Sequence, residues 1–403
     1  GIYISFDDGE SWQSIRGESA RGLNPLPVVP VHDIVVNDNE LAIATHGRSF
    51  WILDELSFIR QAHDDIKETQ CHLFRPPVTY RVAPRYSVGA TTGQGKGYML
   101  ELGHRATWED VKIQGGQSAR YFLDAGKNPP DGVVVTYYLK ARPKNKVAIT
   151  FIDEKGQDIK TFRSKPSNTL NSSDEEQFIT CDPGINKFVW DMRYPDSTKV
   201  EGYGRSSTAI QGPVAPPGVY TVRLDMGRDS QKQSFELVKD PRVTATSEDF
   251  DKQFDLLIEA VDLLSSVHNS ISRIRNIRCQ LAEWVKKCDK KTDRKTISDK
   301  ADKIVSKLWD VEDHLISREG VEGQDILHYP AKLVDEIKEI VPVVDSSDFA
   351  PTSQVIEVLD GLSSRERIQA DRLNEIITVD VAEFVNVLDK LNIPRIVSDH
   401  MSQ

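Results

Sequence analysis

Past Pro241 the spacing of apolar residues changes from alternate positions to steps of three and four, and this switch divides the chain into a strand-rich part and a helical part. Phe250, Phe254, Leu257, Val261 and Leu264 form one stripe; Ile297, Ala301, Ile304, Leu308, Val311 and Leu315 form another. Residues so spaced share one face of a helix. They predict an antiparallel helical bundle of about four helices over residues 246–397, one of them long. Ser247, ahead of Glu248 and Asp249, reads as the N-cap of the first helix, and Pro351 with Thr352 as the start of a helical run to about 377. Asp380-Val381-Ala382-Glu383 has capping-box spacing and reads as a helix restart. Breaks are expected near 290, 320–330, 346 and 379.

Before the switch the runs are short and strand-like. Residues 3–5, 12–15, 32–36, 41–45 and 49–53 read as strands separated by Gly, Asp and Asn turns. Residues 61–129 lose that rhythm at Pro76-Pro77, the glycine-rich 89–97 and Pro129-Pro130, and read as a connector with some strands. From 130 the strands return at 133–139, 147–152, 187–190, 220–224 and 234–238. About seven such runs over roughly 110 residues suit a β-sandwich spanning 130–242.

Composition removes several classes of partner. With 62 acidic against 51 basic residues in 403, and a formal charge of −11, the chain is a poor match for a phosphate backbone, so no nucleic acid is expected. No apolar run reaches the roughly 18 residues that span a bilayer. Gly1-Ile2-Tyr3-Ile4 has neither the charged nor the apolar region of a signal peptide, and with no initiator Met it reads as an N-terminal truncation. Cys71, Cys181, Cys279 and Cys288 include no C-x-x-C pair, so no metal is expected. Cys279 and Cys288 fall on opposite faces of one helix and cannot bridge. No cofactor motif is found either. The stretch before Lys96 places Ala90 where a phosphate loop needs glycine, and Gly97 where it needs Ser or Thr.

The most specific short pattern is Ser5-Phe6-Asp7-Asp8-Gly9-Glu10-Ser11-Trp12, which matches S-x-D-x-G-x-[ST]-W at every defined position. Asp7 can accept hydrogen bonds from turn amides, Gly9 permits a positive φ, and Trp12 can pack back on the hairpin. In Ser5, Asp7, Gly9, Ser11 and Trp12 the chain resembles the Asp-box (BNR-repeat) β-propellers, a group that includes sialidases, xyloglucanase-type glycosidases and sortilin-type receptors. Residues 26–36 and 42–54 sharpen this. They look like the last propeller blade of large bacterial proteins of sortilin-like or glycosyl-hydrolase-like type, in which an Ig-like domain and a helical region follow. Residues 184–195 and 215–224 agree, the second resembling the closing hairpin of Ig-like modules.

The resemblance implies a multidomain chain of β plus α type. Residues 1–60 would be the last one or two blades of a truncated propeller, 61–129 a connector, 130–242 an Ig-like β-sandwich and 246–397 the helical bundle. It implies a secreted or periplasmic protein with a carbohydrate or peptide ligand, and a protein partner for the helical bundle. A propeller needs about four to eight blades, so catalytic residues would lie upstream and none is assigned here. Two functions follow: part of a glycosyl hydrolase, or a non-catalytic receptor-like binder.

The candidate ligand residues are His46, Arg48 and Trp51, on a loop whose aromatic and cationic groups could stack on a sugar and pair with a carboxylate. The competing reading is that Phe50 or Trp51 fills the inter-blade core while Arg48 hydrogen-bonds backbone carbonyls. Asp33, Asp54 and Glu55 could form a glycosidase pair only at defined separations, and read instead as solvated strand ends or turn caps. His268 falls on a helical stripe as a core histidine. Arg273, Arg275 and Arg278 read as partners for acidic neighbours. Asn171-Ser172-Ser173 is a glycosylation sequon.

Overall fold

The computed structural model describes residues 1–15, 26, 28–82, 95–101, 104–112, 118–122, 129–165, 177–202, 207–287, 291–317 and 328–391. Ala90, the sequon at Asn171, Cys288, the expected breaks near 290 and 320–327, and the bundle's end at 392–397 lie outside the described residues. Strands come first and helices last, in two compact units. One unit comprises Gly1–Met192 and Pro217–Arg242, and the other Arg193–Pro216 and Val243–Gln403.

The first unit opens with the antiparallel pair β1 (Tyr3–Ile4) and β2 (Gln13–Ser14). An antiparallel meander follows: β3 (Val31–Asn37), β4 (Glu40–Thr45) and β5 (Phe50–Leu53). Strand alternation gives this sheet two apolar faces. Leu41 stands opposite Leu53 and Ile43 opposite Trp51, and this face packs on Ile2, Leu26 and Leu56. The other face carries Val35, Ala42, Ala44, Phe50 and Ile52, where Val35, Phe50 and Ile52 are exposed.

Two short pieces, α1 (Ser57–Gln61) and a 3₁₀ turn at Asp64–Glu68, precede β6 (Cys71–Leu73) and β7 (Thr79–Arg81). A separate meander comprises β8 (Gly95–Glu101), β9 (His104–Lys112) and β10 (Ser118–Phe122). Next come β11 (Val133–Leu139), β12 (Val147–Ile152), β13 (Asp158–Arg163), β14 (Gly184–Trp190), β15 (Gly218–Met226) and β16 (Asp229–Lys239). They form a three-stranded sheet ordered β14-β11-β6 and a five-stranded sheet ordered β13-β12-β15-β16-β7. Only β7 runs parallel to its neighbour in that second sheet. The expected connector thus lends β6 and β7 to these sheets; runs of three residues are too short to show a period.

The two sheets face each other through aromatic side chains. Phe151 of β12 stacks on Trp190 of β14 with centroids 4.3 Å apart, and Phe162 meets Phe188 at 4.6 Å. Trp190 and Phe151 are fully buried, and truncating such a ring to alanine costs about 3–5 kcal/mol.

The second unit contains α2 (Ser247–Lys287), α3 (Lys291–Leu315), α4 (Leu333–Val344), α5 (Ser353–Glu375) and α6 (Ala382–Lys390). All six stripe residues of α3 are buried; on α2 only Phe254 is partly exposed. The α2 cap sits one residue earlier than expected. Thr246 Oγ1 accepts from the Asp249 amide at 3.2 Å, while Asp249 Oδ2 accepts from the Thr246 amide at 2.8 Å. These reciprocal bonds make Thr246, not Ser247, the N-cap, and they hold the Asp249 carboxyl below its ordinary value.

The expected break at 379 is absent. Residues Ile376–Val381 form a π-helical turn that carries α5 into α6 with helical dihedrals at both joins. Asp380 caps nothing and accepts from Lys307 Nζ of α3 at 2.8 Å. Its spacing to Glu383 imitates a capping box because the same polar pattern serves a cross-helix ion pair.

Arg193–Pro216 lies between β14 and β15 in sequence but belongs with the helices. The Thr198 carbonyl is 2.6 Å from His268 Nδ1, Lys338 Nζ donates to Thr208 Oγ1 at 2.9 Å, and Tyr194 meets Phe254 edge-on at 4.7 Å. His268 is fully buried, as its stripe position implied. By its contacts this strap groups with the helices, although it falls inside the expected 130–242 range.

Candidate functional site

The hairpin between β1 and β2 is built by its own side chains. Ser5 Oγ donates to Asp7 Oδ1 at 2.8 Å and accepts from the Gly9 amide at 2.7 Å. Asp7 accepts from the Ser11 amide at 2.9 Å and from Ser11 Oγ at 2.5 Å. Asp8 and Gly9 take φ of 56° and 97°, which the turn tolerates because one is Asp and the other Gly. Hydrogen bonds from Ser11, then Ser5, favour the carboxylate and hold Asp7 near a pKa of about 2. Trp12 Nε1 donates to the Gly9 carbonyl at 3.1 Å, so the indole lies over the turn, yet it stays 63% exposed. The motif's carboxylate is therefore committed to holding the loop.

The β4–β5 loop holds the three candidate ligand residues. Thr45 closes it, its amide and hydroxyl both donating to the Ser49 carbonyl at 3.2 and 2.6 Å. Gly47 at φ 74° and Ser49 at φ 63° make the reversal. His46 and Arg48 are exposed at its tip. Trp51 is not: its Nε1 donates to the Arg48 carbonyl at 2.9 Å, and its ring packs against the Ile2, Leu41 and Ile43 core. Among the candidates, core filling therefore describes Trp51, while the neighbouring Phe50, 78% exposed, presents the free aromatic face. Alternation along β5 requires only that Phe50 and Trp51 point to opposite faces.

The three carboxylates take separate roles. Asp33 Oδ1 accepts from the Ile34 amide at 2.9 Å. Glu55 is no solvated strand end: it is 6% exposed, with Oε2 2.7 Å from Lys187 Nζ and Oε1 accepting from Ser57 Oγ at 3.1 Å and Thr136 Oγ1 at 3.3 Å. Burial first, then the charge of Glu40, raises the Asp54 carboxyl above its ordinary value. A buried carboxylate bound to a lysine and two hydroxyls is suited to fixing β11 and β14 to the segment after β5, and poorly suited to proton transfer.

Two further features of the first unit are open clefts among its described residues. One of about 450 Å³ lies on the five-stranded sheet, lined by Asp153, Glu154, Asp158, Arg223 and Lys232. The other, about 520 Å³, lies beside Cys71, Asp229 and Gln231. Arg223 of the first is already paired with Asp225 at 2.9 Å and Asp158 at 3.3 Å.

In the second unit, two of the three clustered arginines, Arg275 and Arg278, pair with Glu312 at 2.8 and 2.5 Å. Arg278 also lies 3.4 Å from the Trp309 ring centroid. Among the described residues, no group of three or more His, Cys, Asp or Glu could hold a metal ion, and no helix is long and apolar enough to cross a membrane. No protein-family model matches the chain, and no curated protein matches it.

Proposed function

We propose that residues 1–60 are the closing part of an Asp-box β-propeller, followed by an Ig-like sandwich and a helical interaction body, in a secreted or periplasmic protein of glycosyl-hydrolase-like type. The observation that carries this reading is the β3–β5 meander with apolar residues on both faces, beside a hairpin closed by Asp-box hydrogen bonds. A lone sheet needs one buried face. A propeller blade, held between two neighbours, buries both. In this reading further blades cover Val35, Phe50 and Ile52, and any acid–base carboxylate pair belongs to those blades.

The receptor-like alternative draws on the commitment of Asp7 and Glu55 to structural bonds. In both readings the exposed His46 and Arg48 offer a rim contact for a carbohydrate or peptide. The test is turnover of fluorogenic sialosides and xyloglucan oligosaccharides by residues 1–403, alongside NMR titration of the same ligands. The expected result is no hydrolysis, with any shifts centred on 46–48. Turnover that survives purification and follows the chain would refute the assignment of catalysis to other blades.

A further inference from the structure

We propose that His32 and His46 form a two-histidine site for a tetrahedral divalent cation of the zinc type, independent of the propeller reading. Their ring centroids are 5.1 Å apart. Zinc holds imidazole nitrogens at about 2.0–2.1 Å, and a ring centroid lies about 1.2 Å behind its nitrogen, so two rings at the tetrahedral angle sit about 5.2 Å apart. A right-angled pair, as in square-planar coordination, would sit about 4.5 Å apart. The observed 5.1 Å centroid spacing is closer to the tetrahedral value than to the right-angled one. The rings are tilted by 44°, which is neither parallel stacking nor edge-to-face packing.

The backbone supports the same reading. The β3–β4 register skips between Val31 and Asp33, so His32 is the extra residue of a bulge, the device by which a strand re-aims one side chain. His46 is fixed from the other side by its amide, which donates to the Pro30 carbonyl at 3.0 Å. It opens the loop whose reversal places Ser49 in the left-handed region, a strain that persists where its surroundings over-determine it. Both imidazoles are exposed and accessible to solvent.

His63 and His72 form the contrasting pair. Their centroids are 6.3 Å apart and nearly edge-on, a separation that one ion could bridge only near linearity, at about 6.4 Å. His63 already lies 3.8 Å from Asp65, and His72 packs edge-on against Phe74 at 4.7 Å.

Two protein ligands, one fewer than the three of a catalytic zinc site, leave two positions for water or an incoming oxygen donor. An ion there would also clip the start of β3 to the end of β4.

The test is calorimetric titration of Zn²⁺ into the tag-free 403-residue chain with its thiols alkylated, for wild type, His32→Gln, His46→Gln and His72→Gln. All these side chains can change without emptying a core, and circular dichroism confirms folding. The expected result is one ion per chain, affinity at least about tenfold weaker in His32→Gln and in His46→Gln, and wild-type affinity in His72→Gln. Binding that survives both His32→Gln and His46→Gln, or that is lost in His72→Gln, or no binding at all, would overturn the proposal.

Discussion

Replacing Glu312 with leucine tests how the helical unit tolerates charge inside it. Glu312 has no solvent exposure and bridges Arg275 and Arg278, whose side chains are 21% and 15% exposed. At an effective dielectric constant near 20, each contact contributes about 4 kcal/mol of attraction. Repulsion between the arginines and several kcal/mol of carboxylate desolvation cancel much of this, so the intact triad stabilises little on balance. Glu312→Leu removes the attraction and the carboxylate's desolvation together, but leaves two mostly buried guanidinium groups facing carbon. The expected loss is about 3–5 kcal/mol, two to nearly four orders of magnitude in the folding equilibrium. Urea unfolding followed by far-UV circular dichroism reads it, since the helices dominate that signal. The combined variant with Arg275→Met and Arg278→Met should return to within about 1 kcal/mol of wild type. A single-variant loss below about 1 kcal/mol, or a triple variant as damaged as the single, would refute the reasoning.

Three smaller perturbations test other elements. Trp12→Ala should cost about 1 kcal/mol, the net worth of one hydrogen bond, because the ring is largely exposed; a loss above about 3 kcal/mol in thermal unfolding would mean that the ring is packed in solution. Asp7 should titrate near pH 2 by carboxyl NMR. Its folded value lies below the ordinary 3.8, so its stabilising share is complete above about pH 4 and is lost as pH falls through about 2; Ser11→Ala should raise the midpoint, and an unmoved midpoint would remove Ser11 as the leading cause. Thr246→Ala should cost about 1 kcal/mol and raise the Asp249 pKa, whereas a larger effect from Ser247→Ala would return the cap to Ser247.

Legibility in the sequence followed the range of the interactions. The α3 stripe from Ile297 to Leu315 was readable because burial repeats every three or four residues. The meander was readable because its strands are neighbours joined by tight turns. The cap was missed by one position because Thr246 and Ser247 are both capping types, and only Asp249, three residues after Thr246, decides between them. The false break at 379 arose because Asp380 answers Lys307, a partner 73 residues away. Within the candidate site, the loop was legible but the roles of its aromatics were not. Whether Phe50 or Trp51 points inward depends on which strand face meets Ile2 and Leu56, and pairwise contacts of that kind leave no local pattern. His32 escaped notice because the bulge that turns it toward His46 is a property of two strands together.

The strap at Arg193–Pro216 has a consequence for the order in which the protein can be made. Thr208 meets Lys338 across 130 residues, which at about 5–20 residues per second takes a ribosome roughly 6–26 s to deliver. During that interval β15 and β16 emerge and can join β12, so the sheets are able to close while the strap still lacks its helices. Neither body is a contiguous stretch of chain, so a gene fragment cut at Pro241 would encode helices without the strand of backbone they close around. For this protein the unit that can be inherited, exchanged or expressed whole is the pair.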